Sequence, residues 1–393
     1  MIASPRIRVV ALLDQLRPEG GGAERIATGV AAGLDPERFE STLCLTRWSE
    51  QAASAPGAAA ALEALGDAGV RVIGLRRRHR FDLAAAAPLR AVLREGIEVL
   101  HGHMPASSFW AAALGRRHRI PVVIAHEQTW EFAGQPLRVL IDRHFIAPRV
   151  SAYVAVSEDD RRALIEREKI PAALTRVIAN GIPALASPPD SAGLRSALGI
   201  DPAAPLLGAV GRLHHQKDFP LLVEAVGLLD AVAGAPRTPH LAPHLVIAGE
   251  GPARAEIEAA ISARGLGPRV HLLGSRADVA AILAELDIAV LVSRFEGSPL
   301  ALMEYMRAGR AIVATEVRGI TQLIEHDVNG LLVAPRDPAA LAAALTRLLA
   351  DPELATRLGA AAAAHQAEHF SIAATTRRFE SLYEELLGSR RGP

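Results

Sequence analysis

Two glutamates separated by seven residues, Glu296 and Glu304 in SRFEGSPLALMEYM, bracket a glycine–serine–proline turn and the start of an apolar helix. Pro299 fits the first helical turn, where a missing N–H costs nothing. The preceding run Ile288–Val292 reads as a buried strand. Strand, polar loop and helix N-terminus follow one another. Free amides and the positive end of a helix dipole suit a bound phosphate there. Glu296, in the loop, can face a ligand directly. Glu304, more than a turn inside the helix, can accept hydrogen bonds from ligand hydroxyls.

Other constellations sit after other strand candidates. In Gly211-Arg212-Leu213-His214-His215-Gln216-Lys217, Arg212 can fork onto phosphate oxygens and Lys217 adds a mobile point charge. Two cations five residues apart in one loop can converge on one diphosphate; the alternative is an ordinary basic surface loop. His101-Gly102-His103 lies immediately past a strand end, and His103, further out of the strand, is the better ligand-side candidate, with His101 read as a packed, hydrogen-bonded histidine. The two histidines lack further ligands at readable spacing, so no metal site is expected. His126-Glu127 follows the next strand, either lining the same edge or forming a solvated loop pair. Gly20-Gly21-Gly22 leads into a helix and lets backbone approach a ligand, or is a flexible turn. Gly249-Glu250-Gly251-Pro252 and Val317-Arg318-Gly319 are turns that can line a pocket, a plain turn being the simpler reading of each. The run Arg76-Arg77-Arg78-His79-Arg80 can attract an anionic acceptor or lipid, or form a solvated face.

The 393 residues suffice for two domains with full cores, and a composition half apolar excludes disorder and a small disulfide scaffold. With 43 basic and 43 acidic side chains the net charge is zero, which argues against a general nucleic-acid binder. Cys44 is the only cysteine, which excludes an intramolecular disulfide and fits a reducing compartment. The apolar part of MIASPRIRVVALL is too short for a membrane span and begins like a core strand, so no signal peptide is expected.

Short β-branched runs alternate with alanine- and leucine-rich amphipathic stretches, twice over. Strands are predicted at Arg8–Leu12, Glu40–Leu45, Val70–Leu75, Glu98–His101, Val122–Ala125, Ala152–Val156 and Arg176–Ile178. A second set is predicted at Leu206–Val210, Leu245–Ala248, Val270–Leu273, Ile288–Val292, Ala311–Ala314 and Leu331–Val333. Such alternation predicts two α/β domains with helix-covered parallel sheets. Their join falls near Gly181–Ala192, and Val232–Pro243 reads as a surface excursion. The last helix, Ile372–Leu387, spaces Phe379, Leu382, Tyr383 and Leu386 for packing on an apolar surface. Domains of this kind hold ligands beyond the carboxyl ends of their strands, which places a site in a cleft between two facing ones.

Taken together, GGGAER, VIANGIP, GRLHHQKDF, VIAGEGP, EGSPLALME and NGLLVAPRD resemble, in order and spacing, the retaining nucleotide-sugar-dependent glycosyltransferases of family 4, also called glycosyl transferases group 1. The resemblance runs over nearly the whole chain. It implies the GT-B fold, with two Rossmann-like domains facing across a cleft. It implies an acceptor domain over 1–185, a donor domain over 186–368, and a final helix over 369–393 crossing back to the first. It places Gly21 and Gly22 near the donor diphosphate or acceptor and His103 near the transferred sugar. Arg212 and Lys217 neutralise the leaving diphosphate, Glu296 contacts sugar hydroxyls, and Glu304 contacts ribose hydroxyls. Amides around Gly297, Ser298, Pro299 and Leu300 hold phosphate or sugar oxygens, and Gly249 and Gly251 shape the donor pocket. On the acceptor side stand His126, Glu127, Arg76 and Arg77. The donor is a UDP- or GDP-sugar and the acceptor a glycan or lipid-linked hydroxyl; no cofactor and no DxD-bound metal are implied. Two departures, Tyr305 in place of the usual alanine and Arg318 in place of the commoner glycine, bear on the donor pocket.

The rival readings are a nucleotide-sugar epimerase or phosphorylase on similar domains, and a non-catalytic sugar-nucleotide-binding subunit. A cytoplasmic location is expected, with peripheral contact to the inner face of a membrane if the acceptor is lipid-linked.

Overall fold

The computed structural model describes residues 5–16, 22–54, 56–76, 84–128, 136–185, 193–229 and 242–391. Gly20 and Gly21, the run from Arg77 to Arg80, most of Val232–Pro243 and residues 186–192 of the expected join lie outside them. The chain divides into two compact units, Met1–Pro183 with Phe370–Pro393, and Ala184–His369.

Among the described residues the first unit holds seven parallel strands: β1 (Ile7–Leu13), β2 (Phe39–Leu45), β3 (Arg71–Gly74), β4 (Val99–His103), β5 (Val122–His126), β6 (Ala152–Ala155) and β7 (Thr175–Val177). Their order across the sheet is β3-β2-β1-β4-β5-β6-β7. The second unit holds six: β8 (Leu206–Val210), β9 (His244–Ala248), β10 (Val270–Gly274), β11 (Ile288–Leu291), β12 (Ala311–Thr315) and β13 (Leu331–Val333). These run β10-β9-β8-β11-β12-β13, again all parallel. Helices on both faces bury these strands, which explains why β4, β5 and β12 are buried at every position. Each fully buried leucine, isoleucine or valine contributes about 1.5–3 kcal/mol.

Both orders reverse direction once, between β1 and β4 and between β8 and β11. Strand ends diverge at such a point, and loops leaving the carboxyl edge open a crevice. The most informative candidates from the sequence leave strands at these two points.

The final helix, Ile372–Arg391, belongs to the first unit. Ile182 N–H donates to Phe370 O and Ile372 N–H to Ile182 O, both at 2.9 Å, as the chain arrives. The helix then lies close on Gly22–Gly33: a Cβ added at Gly29 would stand 2.8 Å from Ile372, and one at Gly33 2.9 Å from Thr376. Phe379, Leu382 and Tyr383 are buried, as their spacing predicts. Among the described residues no helix is long and apolar enough to cross a membrane.

Candidate active site

In the second unit the loops after β8 and β11 are tied together side chain by side chain. Arg294 makes a two-pronged ion pair with Asp218, at 2.8 and 2.9 Å. Gln216 Nε2 donates to Phe295 O at 2.9 Å, and Arg294 N–H donates to Gln216 O at 2.8 Å. Thr315, ending β12, donates to Ser293 O at 2.6 Å. These bonds bring Lys217 Nζ to 2.5 Å from Glu296 Oε1, where Ser293 Oγ also donates at 2.5 Å. Both bonds fall on Oε1, leaving Oε2 open to accept from a ligand. An ammonium has three donors, so Lys217 keeps two beyond Glu296. Arg212 is exposed in the same loop and makes no ion pair among the described residues. Asp218 takes a φ of 49°, left-handed for a residue with a Cβ, and so turns the chain immediately after Lys217.

Backbone closeness explains the glycines. A Cβ at Gly249 would stand 1.9 Å from Gly211 O, and one at Gly251 2.3 Å from Leu213 O. The turn after β9 therefore rests directly on the loop carrying Arg212. Gly319 combines a φ of 80° with a Cβ position 2.5 Å from Glu296 O, so the turn at Val317–Gly319 packs against the backbone of the Glu296 loop. The helix Leu300–Arg307 begins one residue later than the sequence predicts. Pro299 is its N-cap, and its carbonyl accepts from Leu302 N–H at 3.0 Å. Gly297 and Ser298 lie just before that start, half-buried, and Glu304 is half-buried on its second turn.

Tyr305 does not line a pocket. It is fully buried, and its hydroxyl accepts from Val210 N–H at 2.6 Å and donates to Val210 O at 3.2 Å. β8 and β11 pair only at Leu207 and Gly208. The tyrosine thus satisfies backbone groups that β11 no longer reaches, and it holds the end of β8 where the Arg212 loop begins.

In the first unit the strands run further than the sequence suggests. β4 continues to His103 and β5 to His126, so both histidines are strand residues, paired in register. His101, His103 and His126 are each at most 1% exposed. His101 and His103 stack at 4.0 Å between ring centroids with planes 25° apart, and His126 lies 5.3 and 5.2 Å from them. Burial drives all three well below the ordinary histidine range, His103 to about 3, with neighbouring histidines adding to the effect on His101 and His126. The three rings are therefore neutral at physiological pH. Among the described residues neither nitrogen of His103 has a hydrogen-bond partner, nor does Nε2 of His101 or Oδ1 of nearby Asn180. Buried polar atoms without partners, gathered at one strand edge, mark a place a polar ligand would complete. Beside them Asn180 Nδ2 donates to Gln128 Oε1 at 3.0 Å, and Gln128 lies 3.2 Å from His126 Nε2.

The glycine of His-Gly-His is a packing requirement. A Cβ at Gly102 would stand 2.6 Å from the Ser108 Cα, because the helix Met104–His118 folds back over it. Met104 turns the chain with a φ of 71°, a strained value for a bulky residue, directly after His103. The ligating atoms of the three histidines lie within 4.8 Å of one another. The sequence spacing showed two histidines without a further ligand; the register of β4 and β5 brings His126 to them as a third.

Glu127 is not half of a solvated pair. It is buried and ion-paired with Arg138, which also lies 3.2 Å from Asp142. Burial raises the Asp142 carboxyl, an effect that Arg138 moderates. Arg76 is exposed and pairs with Glu50. Gly22 opens the helix Gly22–Gly33, while Gly21 and Arg77 are outside the described residues. The sequence did not single out Ser293, Asp218, Arg294, Gln128 or Asn180, and it named Tyr383 only as a packing residue. Each becomes informative only once its partner on a distant segment is known.

Two Rossmann-like units with polar groups gathered at their strand ends define the GT-B class of fold. The solved structure of Anabaena Alr3699/HepE in complex with UDP and glucose has the same fold, with a TM-score of 0.77 at 21% identity, covering 97% of this chain and 100% of that one. Residues 20–184 match the family model described as Glycosyltransferase Family 4, and residues 204–351 that described as Glycosyl transferases group 1. The chain belongs to this family and is a glycosyltransferase. Among curated relatives, the alpha-D-kanosaminyltransferase of Streptomyces kanamyceticus is 28% identical over 73% of this chain and 77% of that protein. The lipopolysaccharide core biosynthesis mannosyltransferase LpcC of Rhizobium leguminosarum bv. viciae is 32% identical over 55% of this chain, a match that spans 61% of its length.

Proposed function

We propose that the protein moves a sugar from a UDP- or GDP-sugar, with retention of configuration, to a hydroxyl of a lipid-linked saccharide, polysaccharide or glycoconjugate precursor. The UDP and glucose named with the HepE structure favour the uridine donor, and the LpcC relative favours a glycan acceptor. The observation that carries the reading is the Lys217–Glu296 pair, fixed between the β8 and β11 loops with Glu296 Oε2 left open.

In this reading the bond between the anomeric carbon and the diphosphate oxygen breaks, and its electron pair leaves with the diphosphate. Arg212, the two remaining donors of Lys217 and the amides before Leu300 stabilise that charge. The acceptor hydroxyl attacks from the face the diphosphate leaves, and its proton passes to a diphosphate oxygen. The products are a glycoside and a nucleoside diphosphate. Glu296 Oε2 accepts from a sugar hydroxyl, and Glu304 accepts from the ribose. His103, neutral, exchanges hydrogen bonds with the transferred sugar rather than donating a full proton. Arg212 and Lys217 carry the charge that a divalent ion carries in other transferases.

A panel of labelled UDP- and GDP-sugars against glycan, lipid-linked and small hydroxyl acceptors tests this. Transfer with retained anomeric configuration is expected. Isomerised donor, phosphorolysis, or binding without turnover would each sink it, as would near-wild-type turnover in Lys217→Ala.

A further inference from the structure

We propose that Tyr383, on the final helix, is a positioning residue for His103, acting through His101; this rests on the role given to His103 above. The Tyr383 hydroxyl lies 2.8 Å from His101 Nδ1, with both side chains buried. His101 Nε2 has no partner, so this contact is the only hydrogen bond that sets the ring's tautomer among the described residues. Neither ring nitrogen of His103 has a hydrogen-bond partner among the described residues, and the ring lies against His101 at 4.0 Å. Before a ligand arrives the His103 ring is held by packing, with the face of His101 against it and His126 at 5.2 Å. Phe379, one helical turn before Tyr383, closes the far side at 4.9 Å from His101 and 5.2 Å from His126.

The hydroxyl is itself held in place. Tyr383 meets Phe39 edge-on, with centroids 6.2 Å apart. Glu380 accepts from Asp35 N–H at 2.8 Å and lies 3.5 Å from Arg38, and Arg38 also pairs with Glu384. The helix is thus clamped at the start of β2 and, through Gly29 and Gly33, along Gly22–Gly33. A helix needed only to cover apolar surface would present a phenylalanine here as readily as a tyrosine. Among the described residues the oxygen has one partner, and that partner is stacked on the histidine assigned to the sugar.

The test is a double-mutant cycle on the full-length protein. Tyr383→Phe removes one oxygen and keeps the ring. On the wild-type background it lowers kcat about three- to tenfold with donor KM unchanged. On the His103→Ala background, which is itself impaired, it changes nothing. The His103 ring nitrogen resonances, assigned by their loss in His103→Ala, also shift in Tyr383→Phe. His101→Gln is run in parallel, and thermal midpoints are followed throughout. Equal losses on both backgrounds, or unchanged kcat in Tyr383→Phe, overturn the positioning role while leaving His103 in place. Loss of the fold in both variants makes the contact structural and also overturns it. Full turnover in His103→Ala removes the role of His103 itself, and the inference with it.

Discussion

The two units solve the same geometric problem with opposite chemistry. At the point where strand order reverses, the second unit presents charge: Lys217 on Glu296, Arg294 on Asp218, and Arg212 exposed. The first unit presents three buried, neutral imidazoles, and among the described residues His101 Nε2 and both nitrogens of His103 have no partner. Each turns its chain beside the key residue with a left-handed non-glycine, Asp218 after Lys217 and Met104 after His103. Opposed ion pairs hold a cation in place for an anionic group that departs with charge. Neutral rings suit hydroxyls, whose charge hardly changes. In the proposed reaction this difference divides the labour: one unit stabilises developing charge and the other orients uncharged groups.

The largest expected effect tests the charged half. Lys217→Ala should lower kcat by about 100- to 1000-fold, the cost of removing one preorganised donor from developing charge. Its effect on stability should be smaller, because Ser293 still donates to Glu296. A loss no greater than that of a surface lysine, measured at saturating donor, would break the comparison.

Next in size is Tyr305→Phe. It strands the Val210 N–H and C=O, and should cost about 1–3 kcal/mol in denaturant unfolding of the second unit. If stability is unchanged, β8 does not depend on that hydroxyl.

The neutral half makes a pH prediction. Because burial lowers the imidazoles beneath the ordinary 6.5, with His103 at about 3, the unfolded chain holds more protons between those values. Stability of the first unit is then fully present above about pH 6.5 and falls on acidification, by up to about 1.4 kcal/mol per pH unit for each ring. Urea midpoints at pH 7, 6 and 5 measure the slope, which should flatten in His103→Ala. A profile with equal slope in both proteins would mean that the ring meets water.

The smallest expected effect is none. A chelator should leave turnover unchanged if Arg212 and Lys217 do the charge work, and loss of activity restored by a divalent ion would reassign that work.

Much of this was legible beforehand. All thirteen strands stand where short apolar runs predict them, most within a residue or two at either end. Two sheets of helix-covered parallel strands write themselves into local composition. The motif residues Arg212, Lys217, Glu296 and Glu304 were visible because loop and helix starts carry local signals. Their partners were not. Nothing in SRFEG announces that Arg294 will meet Asp218, 76 residues earlier, and nothing near His101 points to a tyrosine 282 residues away. The sequence offered His126 on the same edge as His103, and the register of β4 and β5 decided that reading over a solvated loop pair.

Sequence alone therefore settled the element types, the family and which polar residues stand at strand ends, since each depends on neighbours along the chain. Tertiary structure alone decided that Glu127 is buried against Arg138, that Tyr305 caps a strand rather than walling a pocket, and that the histidines are neutral. Burial and pairing arise between segments far apart in the chain, and it is they that set a group's charge and partners.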